Sequence, residues 1–274
     1  MKKVLSILIC LILITSQVFV AEAAEAPQTL QTIRVALIDS GISPIAIAAR
    51  HITDGKNYAL PDHDTADVIG HGTALAGLIL ETAPDAVLVP LVYSTRTIGG
   101  KAVQCNVKTI SQIIRDAVDV YKCQVINISA GISRDVSELR EAIAYAEECG
   151  VVVVAAAGNT NRITPELTYY PASYDTVIDV GALRKDGKVA LFSQRHGVSL
   201  VAPGDGLKVM GLQGQVTAAS GTSYAAAHVT GAVAALLTKS PGMAPAQVRQ
   251  YLFKGAKDIG VAGFDADSGY GALQ

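Results

Sequence analysis

The stretch Val151-Val152-Val153-Val154-Ala155-Ala156-Ala157-Gly158-Asn159 decides the fold of this chain. It is a continuous run of small and β-branched apolar residues that ends in glycine and asparagine. Such a run is typical of a parallel β-strand buried on both faces, whereas a strand with one face in water alternates with polar residues. The run therefore predicts a strand over residues 151–157, in a sheet that helices cover on both sides.

Apolar strands and helices alternate along the rest of the chain. The pattern predicts strands at 33–38, 87–93, 125–129, 176–181 and 198–202, and helices at 71–80, 108–121, 138–149, 223–238 and 246–254. We expect Ser137 to cap the third helix, and the uncharged helix 223–238 to be buried on all sides. This order predicts an α/β fold, a three-layer sandwich around a mostly parallel, doubly wound sheet. Active sites of such sheets lie beyond the carboxyl ends of the strands.

The composition and charge limit the partners that we expect for this protein. Half of the 274 residues are hydrophobic, and the net charge is −2. The charged residues form no basic stripe, so nucleic acid and anionic membrane surfaces are excluded as expected partners. We expect one domain over residues 33–274 and a monomer.

The N-terminus has the pattern of a signal peptide. Lys2 and Lys3 precede an apolar run over residues 4–20, and small residues follow, with cleavage sites near Ala23 or Ala26. We expect a signal peptide over 1–23, a short segment over 24–32 and a secreted or extracytoplasmic protein. An uncleaved membrane anchor is the alternative.

Three cysteines follow the signal, which is an odd number. Cys123 and Cys149 each precede an apolar strand, so a disulfide between them is one interpretation. Two buried thiols are the favoured interpretation.

Three short motifs carry an acid, a base and a nucleophile in that order. Asp39 follows an apolar strand, His71 begins an apolar helix, and Ser223 begins the uncharged helix. Taken separately, Asp39 fits an Asx turn, and His71 and Ser223 each fit a helix cap. Together they fit a catalytic triad, in which the aspartate orients the histidine and the histidine takes the serine proton.

Two further features bear on the site. Asn159 ends the apolar run and fits either a turn or a hydrogen-bond donor to an oxyanion. The acidic residues Asp62, Asp64 and Asp67 with His63 could suggest a metal cluster, but a solvated acidic loop is the favoured interpretation.

With these motifs the chain resembles the subtilisin-like serine proteases, the subtilases. The matching segments are 35–42, 70–73 with 76–77, 125–129, 151–159, 170–172 with 180–182, 202–204, and 221–223 with 228–229 and Gly231. They run in the family's order from residue 33 to the C-terminus.

The resemblance implies a serine endopeptidase with Asp39, His71 and Ser223 as its triad and Asn159 in its oxyanion hole. It implies a peptide or protein substrate that binds as an added β-strand. It also implies a first side-chain pocket that Tyr169, where the family often has glycine, would make shallow. The implied substrate-binding residues are Gly100, Lys101, Ala102, Val103, Ser129, Ala130, Gly131, Ala156, Gly158 and Tyr169.

The chain also departs from the family. Ser220 replaces the usual asparagine, and Ala225-Ala226-Ala227 replaces the usual Ala-Ser-Pro. Because only a short segment precedes the first strand, we expect no pro-domain. Because helix 71–80 continues without the insertion that binds calcium tightly in many subtilisins, we expect no such site. We therefore expect no metal or cofactor, with a weaker calcium site left open. The departures suggest a narrow processing protease, or alternatively a catalytically impaired pseudoprotease that binds peptides or proteins.

Overall fold

Seven parallel strands form the central sheet of the protein. The computed structural model describes residues 32–274, which all belong to one compact unit. The strands are β1 (Arg34–Asp39), β2 (Lys56–Asn57), β3 (Val87–Val92), β4 (Ser94–Arg96), β5 (Ala102–Gln104), β6 (Val125–Ile128), β7 (Val152–Ala156), β8 (Ile178–Leu183), β9 (Leu200–Pro203), β10 (Leu207–Met210) and β11 (Val216–Ala219). The α-helices are α1 (His71–Thr82), α2 (Val107–Asp119), α3 (Ser137–Glu148), α4 (Thr222–Lys239) and α5 (Pro245–Gly255).

The two faces of the sheet belong to two separate cores. Along β7, Val152 and Val154 face a core shared with α1 and α4, while Val153 and Ala155 face one shared with α2 and α3. Every residue of β7 is buried. The α/β three-layer fold predicted from the apolar run is therefore confirmed.

The strand order places a reversal of winding at the middle of the sheet. The order is β2-β3-β1-β6-β7-β8-β9, so the chain winds from β1 to one side through β3 and to the other through β6. All strand pairs in this sheet are parallel. The carboxyl ends of β1 and β6 flank the resulting crevice, where doubly wound sheets bind their ligands.

Some local predictions were wrong. Ser137 is the first residue of α3 rather than its cap, because Val136 has the extended backbone at the N-cap position. Helix α4 is not buried on all sides, since Tyr224 and His228 are half-buried. The antiparallel pairs β4–β5 and β10–β11 were not predicted.

The cysteines also differ from expectation. Cys105, Cys123 and Cys149 are all free in the described part of the chain, so the disulfide is wrong. Cys123 is buried, but Cys149 is exposed because it lies at the C-cap of α3, where the helix ends at the surface. The prediction of a buried thiol is therefore wrong for Cys149.

The predicted signal peptide and residues 24–31 lie outside the described residues, so both stay predictions. Within residues 32–274, no helix has the length and apolar character that a bilayer span requires.

Candidate active site

Asp39 and His71 meet at the carboxyl edge of the sheet. Asp39 is the last residue of β1 and is 2% exposed. Its Oδ1 lies 2.7 Å from Nδ1 of His71 and also accepts a hydrogen bond from the backbone N–H of Ser40 at 2.8 Å. With its proton on Nδ1, the imidazole donates to Asp39 and leaves Nε2 as an acceptor.

The backbone around His71 is fixed by Asp67. Oδ1 of Asp67 accepts hydrogen bonds from the N–H groups of Ile69 and Gly70, and Oδ2 accepts from the N–H and hydroxyl of Thr73. Asp67 is 6% exposed, so its assignment to a solvated loop was wrong. Its carboxylate is instead desolvated, and the free N–H groups at the start of α1 stabilise it.

Ser40 links the two carboxylates to α1. Its hydroxyl donates to Oδ1 of Asp67 at 2.9 Å and accepts from the N–H of Gly72 at 2.9 Å. Since Ser40 directly follows Asp39, one hydrogen-bonded network fixes the end of β1 against the beginning of α1.

Opposing effects act on the pKa of His71. Burial lowers this pKa, because it disfavours the charged imidazolium. The negative charge and hydrogen bond of Asp39 raise it, and the charge of Asp67 raises it further. The net result is a pKa above the usual value, so the histidine holds a transferred proton more firmly.

Ser223 lies in the first turn of α4, next to a residue that contacts His71. It is 7% exposed, and the helix beginning at Thr222 has free N–H groups here. The ring of the next residue, Tyr224, contacts the imidazole of His71 edge to face with 5.5 Å between ring centroids. The structure thus brings the starts of α1 and α4 together.

Asn159 is oriented by Thr222. Oδ1 of Asn159 accepts hydrogen bonds from the N–H of Thr222 at 2.9 Å and from the Thr222 hydroxyl at 3.1 Å. The amide nitrogen makes no hydrogen bond within residues 32–274, which leaves it available as a donor. Asn159 was predicted from the sequence, but the role of Thr222 was not, although Thr222 lies beside Ser223 in the same motif.

A cavity of about 300 Å³ lies beside the ends of β5 and β6. Gln104 and Cys105 line one side, and Ala130, Gly131 and Ile132 line the other. Of the predicted substrate-binding residues, Ala130 and Gly131 therefore line the cavity. Ala102 and Val103 belong to β5, Gly100 and Lys101 lie in the turn before it, and Ser129 follows β6.

The remaining predicted substrate-binding residues cluster at the end of β7. The side chain of Ala156 is buried in the core, and Gly158 follows the strand with φ of 113°. Tyr169 packs against Gly158 and Gly131. Among the described residues, no three His, Cys, Asp or Glu side chains are placed to hold a metal ion.

An all-parallel α/β sheet with acid, histidine and serine in this chain order defines the class of subtilisin-like serine proteases. The profile of the Subtilase family matches residues 31–271. The chain belongs to this family, as its motifs predicted.

Known relatives agree with this membership. The chain is 30% identical over 262 residues to the minor extracellular protease Epr of Bacillus subtilis, covering 93% of this chain but only 40% of that protein's length. It is 32% identical to subtilisin DY of Bacillus licheniformis, covering 83% and 85% of the two chains. A solved lanthipeptide protease superposes with a TM-score of 0.77 at 26% identity, covering 88% of this chain and 85% of that structure.

Proposed function

We propose that the protein is an exported serine endopeptidase with Asp39, His71 and Ser223 as its triad. The hydrogen bond of 2.7 Å between Asp39 and His71, beside the helix start that carries Ser223, is the observation that carries this proposal. Export is supported by the sequence of the N-terminus and by the relative that is called extracellular.

The geometry supports hydrolysis through an acyl-enzyme. Ser223 Oγ attacks the peptide carbonyl while His71 Nε2 takes its proton, and Asp39 stabilises the imidazolium. The amide of Asn159 and the N–H of Ser223 donate to the oxyanion. His71 then passes the proton to the leaving amine. Water, activated by the same histidine, hydrolyses the ester and restores Ser223.

A narrow processing role is part of the proposal. It is supported by the replacement of the usual residues around Ser223 and by the aromatic side chain of Tyr169 beside the oxyanion residue. One structural relative is itself named for a single class of peptide, the lanthipeptides.

A fluorophosphonate probe tests the triad, because it reacts only with an activated serine. We expect the purified protein to be labelled, Ser223→Ala to remain unlabelled, and labelling to require His71. Asn159→Ala should still be labelled, with kcat for peptides about 100- to 1000-fold lower, as when the equivalent donor is removed from subtilisin.

Ser240→Ala, an exposed serine at the far end of the same helix, is the control and should behave as wild type. An unlabelled wild-type protein, or equal labelling of Ser223→Ala, would refute the proposed chemistry. The first outcome would favour the peptide-binding pseudoprotease.

A further inference from the structure

We propose that Tyr224 is a positioning residue for this protease, because its ring holds the imidazole of His71 in place and stabilises the imidazolium that forms during proton transfer. This inference rests on the proposed function, since it takes His71 as the general base and Ser223 as the nucleophile. It adds to the triad an aromatic side chain that contacts the base without exchanging a proton with it.

The imidazole of His71 needs a second contact besides Asp39. Its Nδ1 lies 2.7 Å from Oδ1 of Asp39, and this is the only hydrogen bond of the ring within residues 32–274. A hydrogen bond at one corner fixes that nitrogen but leaves the plane of the ring free to tilt about it. The side chain of His71 is also 32% exposed, so packing does not enclose it. Proton transfer requires a fixed position of Nε2, and another group must therefore orient the ring.

Tyr224 supplies this second contact. The centroids of the tyrosine and imidazole rings lie 5.5 Å apart, and the two ring planes are inclined by 63°. Both values fall in the range of a favourable edge-to-face pair. Because Tyr224 directly follows Ser223 in the first turn of α4, the contact links the base to the helix that carries the nucleophile.

The ring of Tyr224 is itself held in place. It is half-buried and packs against the core shared by α1 and α4. A Cβ atom built on Gly221 would lie 3.5 Å from Cδ2 and Cε2 of the ring, so the ring lies against the turn before the helix. His71 and Tyr224 both line a cavity of about 330 Å³. A smaller side chain at position 224 would enlarge this cavity and give the imidazole room to turn.

The ring of Tyr224 also suits a positively charged neighbour. During the reaction the imidazole gains a proton, and an aromatic ring within about 6 Å stabilises such a cation. Burial and the negative charge of Asp39 raise the pKa of Tyr224, so its hydroxyl stays neutral at the pH where a histidine acts as a base. The tyrosine therefore acts through its ring and not through its proton.

Tyr224→Leu and Tyr224→Phe test the role of the ring. At a pH above the acid limb, Tyr224→Leu should lower kcat about 10-fold and change KM less than about twofold, because the base is misplaced while substrate binding is kept. The acid limb of kcat/KM, and the pKa of His71 followed by NMR, should fall by about half a pH unit, because the imidazolium loses a stabilising contact. Tyr224→Phe keeps the ring and should behave as wild type.

Tyr251→Leu is the matched control. It makes the same substitution at a tyrosine of α5 that is 60% exposed, and it should change neither kcat nor the acid limb. Thermal unfolding shows whether each variant is folded. If Tyr224→Leu does not fold, Tyr224→Met takes its place, because the flexible methionine side chain adapts to an irregular space.

The outcomes separate this inference from the proposed function. A folded Tyr224→Leu with wild-type kcat overturns the inference alone. So does a fall in kcat with an unmoved acid limb, which a merely structural role would give. A Tyr224→Phe as impaired as Tyr224→Leu also overturns it, because the hydroxyl would then be the group that acts. A wild-type protein that the fluorophosphonate does not label overturns the proposed function, and the inference with it.

Discussion

Asp67 places a second negative charge near His71. The two groups do not touch, but Asp67 holds the N–H groups on both sides of the histidine and raises its pKa. Because the general base must be neutral, a higher pKa moves the onset of activity to higher pH. The carboxylate thus acts on the reaction through the histidine, as a positioning residue.

Asp67→Asn tests this role through the pH dependence of kcat/KM. The wild-type acid limb should lie above the usual histidine pKa, and loss of the charge should move it to lower pH. In asparagine an NH2 group replaces one of the two carboxylate oxygens and cannot accept, so the donors to that oxygen lose their partner, and we expect stability to fall by about 1–3 kcal/mol. Asp62→Asn, an exposed carboxylate nearby, is the control. If the acid limb does not move, the role of Asp67 is purely structural.

Individual residues were predicted with unequal success. The positions of Asp39 and His71 could be predicted because each lies where a strand ends or a helix begins. Asp67 could not, since its partners are mainly backbone N–H groups that only the folded loop brings together. An acidic residue shortly before a helix start was the available signal, but the neighbouring Asp62 and Asp64 concealed it.

Helices α1 and α4 carry the proposed base and nucleophile. Helix α1 begins at His71, and α4 carries Ser223 in its first turn. About two helical turns further along each, the helices touch, because a Cβ built on Gly231 would lie 2.9 Å from the carbonyl oxygen of Ile79. The glycine therefore allows the close approach that aligns the two starts.

Gly231→Ala should separate these helices. We expect a loss of stability of about 1–3 kcal/mol from overpacking and a fall in kcat larger than any rise in KM, since the geometry of attack changes. Ala232→Ser, at the adjacent half-buried position, should change neither quantity much. Thermal unfolding and steady-state kinetics of both variants measure this, and a stable Gly231→Ala with wild-type kcat would contradict it.

The elements with a buried face were those that the sequence predicted. Helix α4 and strand β7 agree with expectation to within one residue at each end. Strand β11 has no such signal, because Val216, Thr217 and Ala218 are exposed. A periodic hydrophobic pattern is expected in the sequence only where one face of an element packs into the core.

At the scale of the whole molecule, one buried charge affects stability. Asp179 in β8 is 4% exposed, and its Oδ1 has no hydrogen-bond partner among residues 32–274. Burial raises the pKa of this carboxyl to about 7, whereas the unfolded chain has a value near 3.8. The folded state therefore binds the proton more tightly, and stability falls as pH rises from about 4 to 7.

Asp179→Asn should remove this penalty. We expect higher stability than wild type above pH 7, by an amount on the order of 4 kcal/mol, and little difference near pH 4. Denaturant unfolding at both pH values measures the effect. Asp186→Asn, on an exposed turn, should show no such pH dependence. A variant that is equally stable relative to wild type at both pH values would refute the idea.

The topology also determines when the protein can fold. Strand β1 lies at the centre of the sheet, where Val35 is paired with Leu88 on one side and with Val125 on the other. During synthesis β1 leaves the ribosome first of these three, and its second edge stays unpaired until β6 follows. Such distant pairings require large loops to close before any contact is gained, so they slow folding. Strand β1, which carries Asp39, is thus synthesised early but gains its second neighbouring strand late. In the interval its unpaired apolar edge is exposed to aggregation.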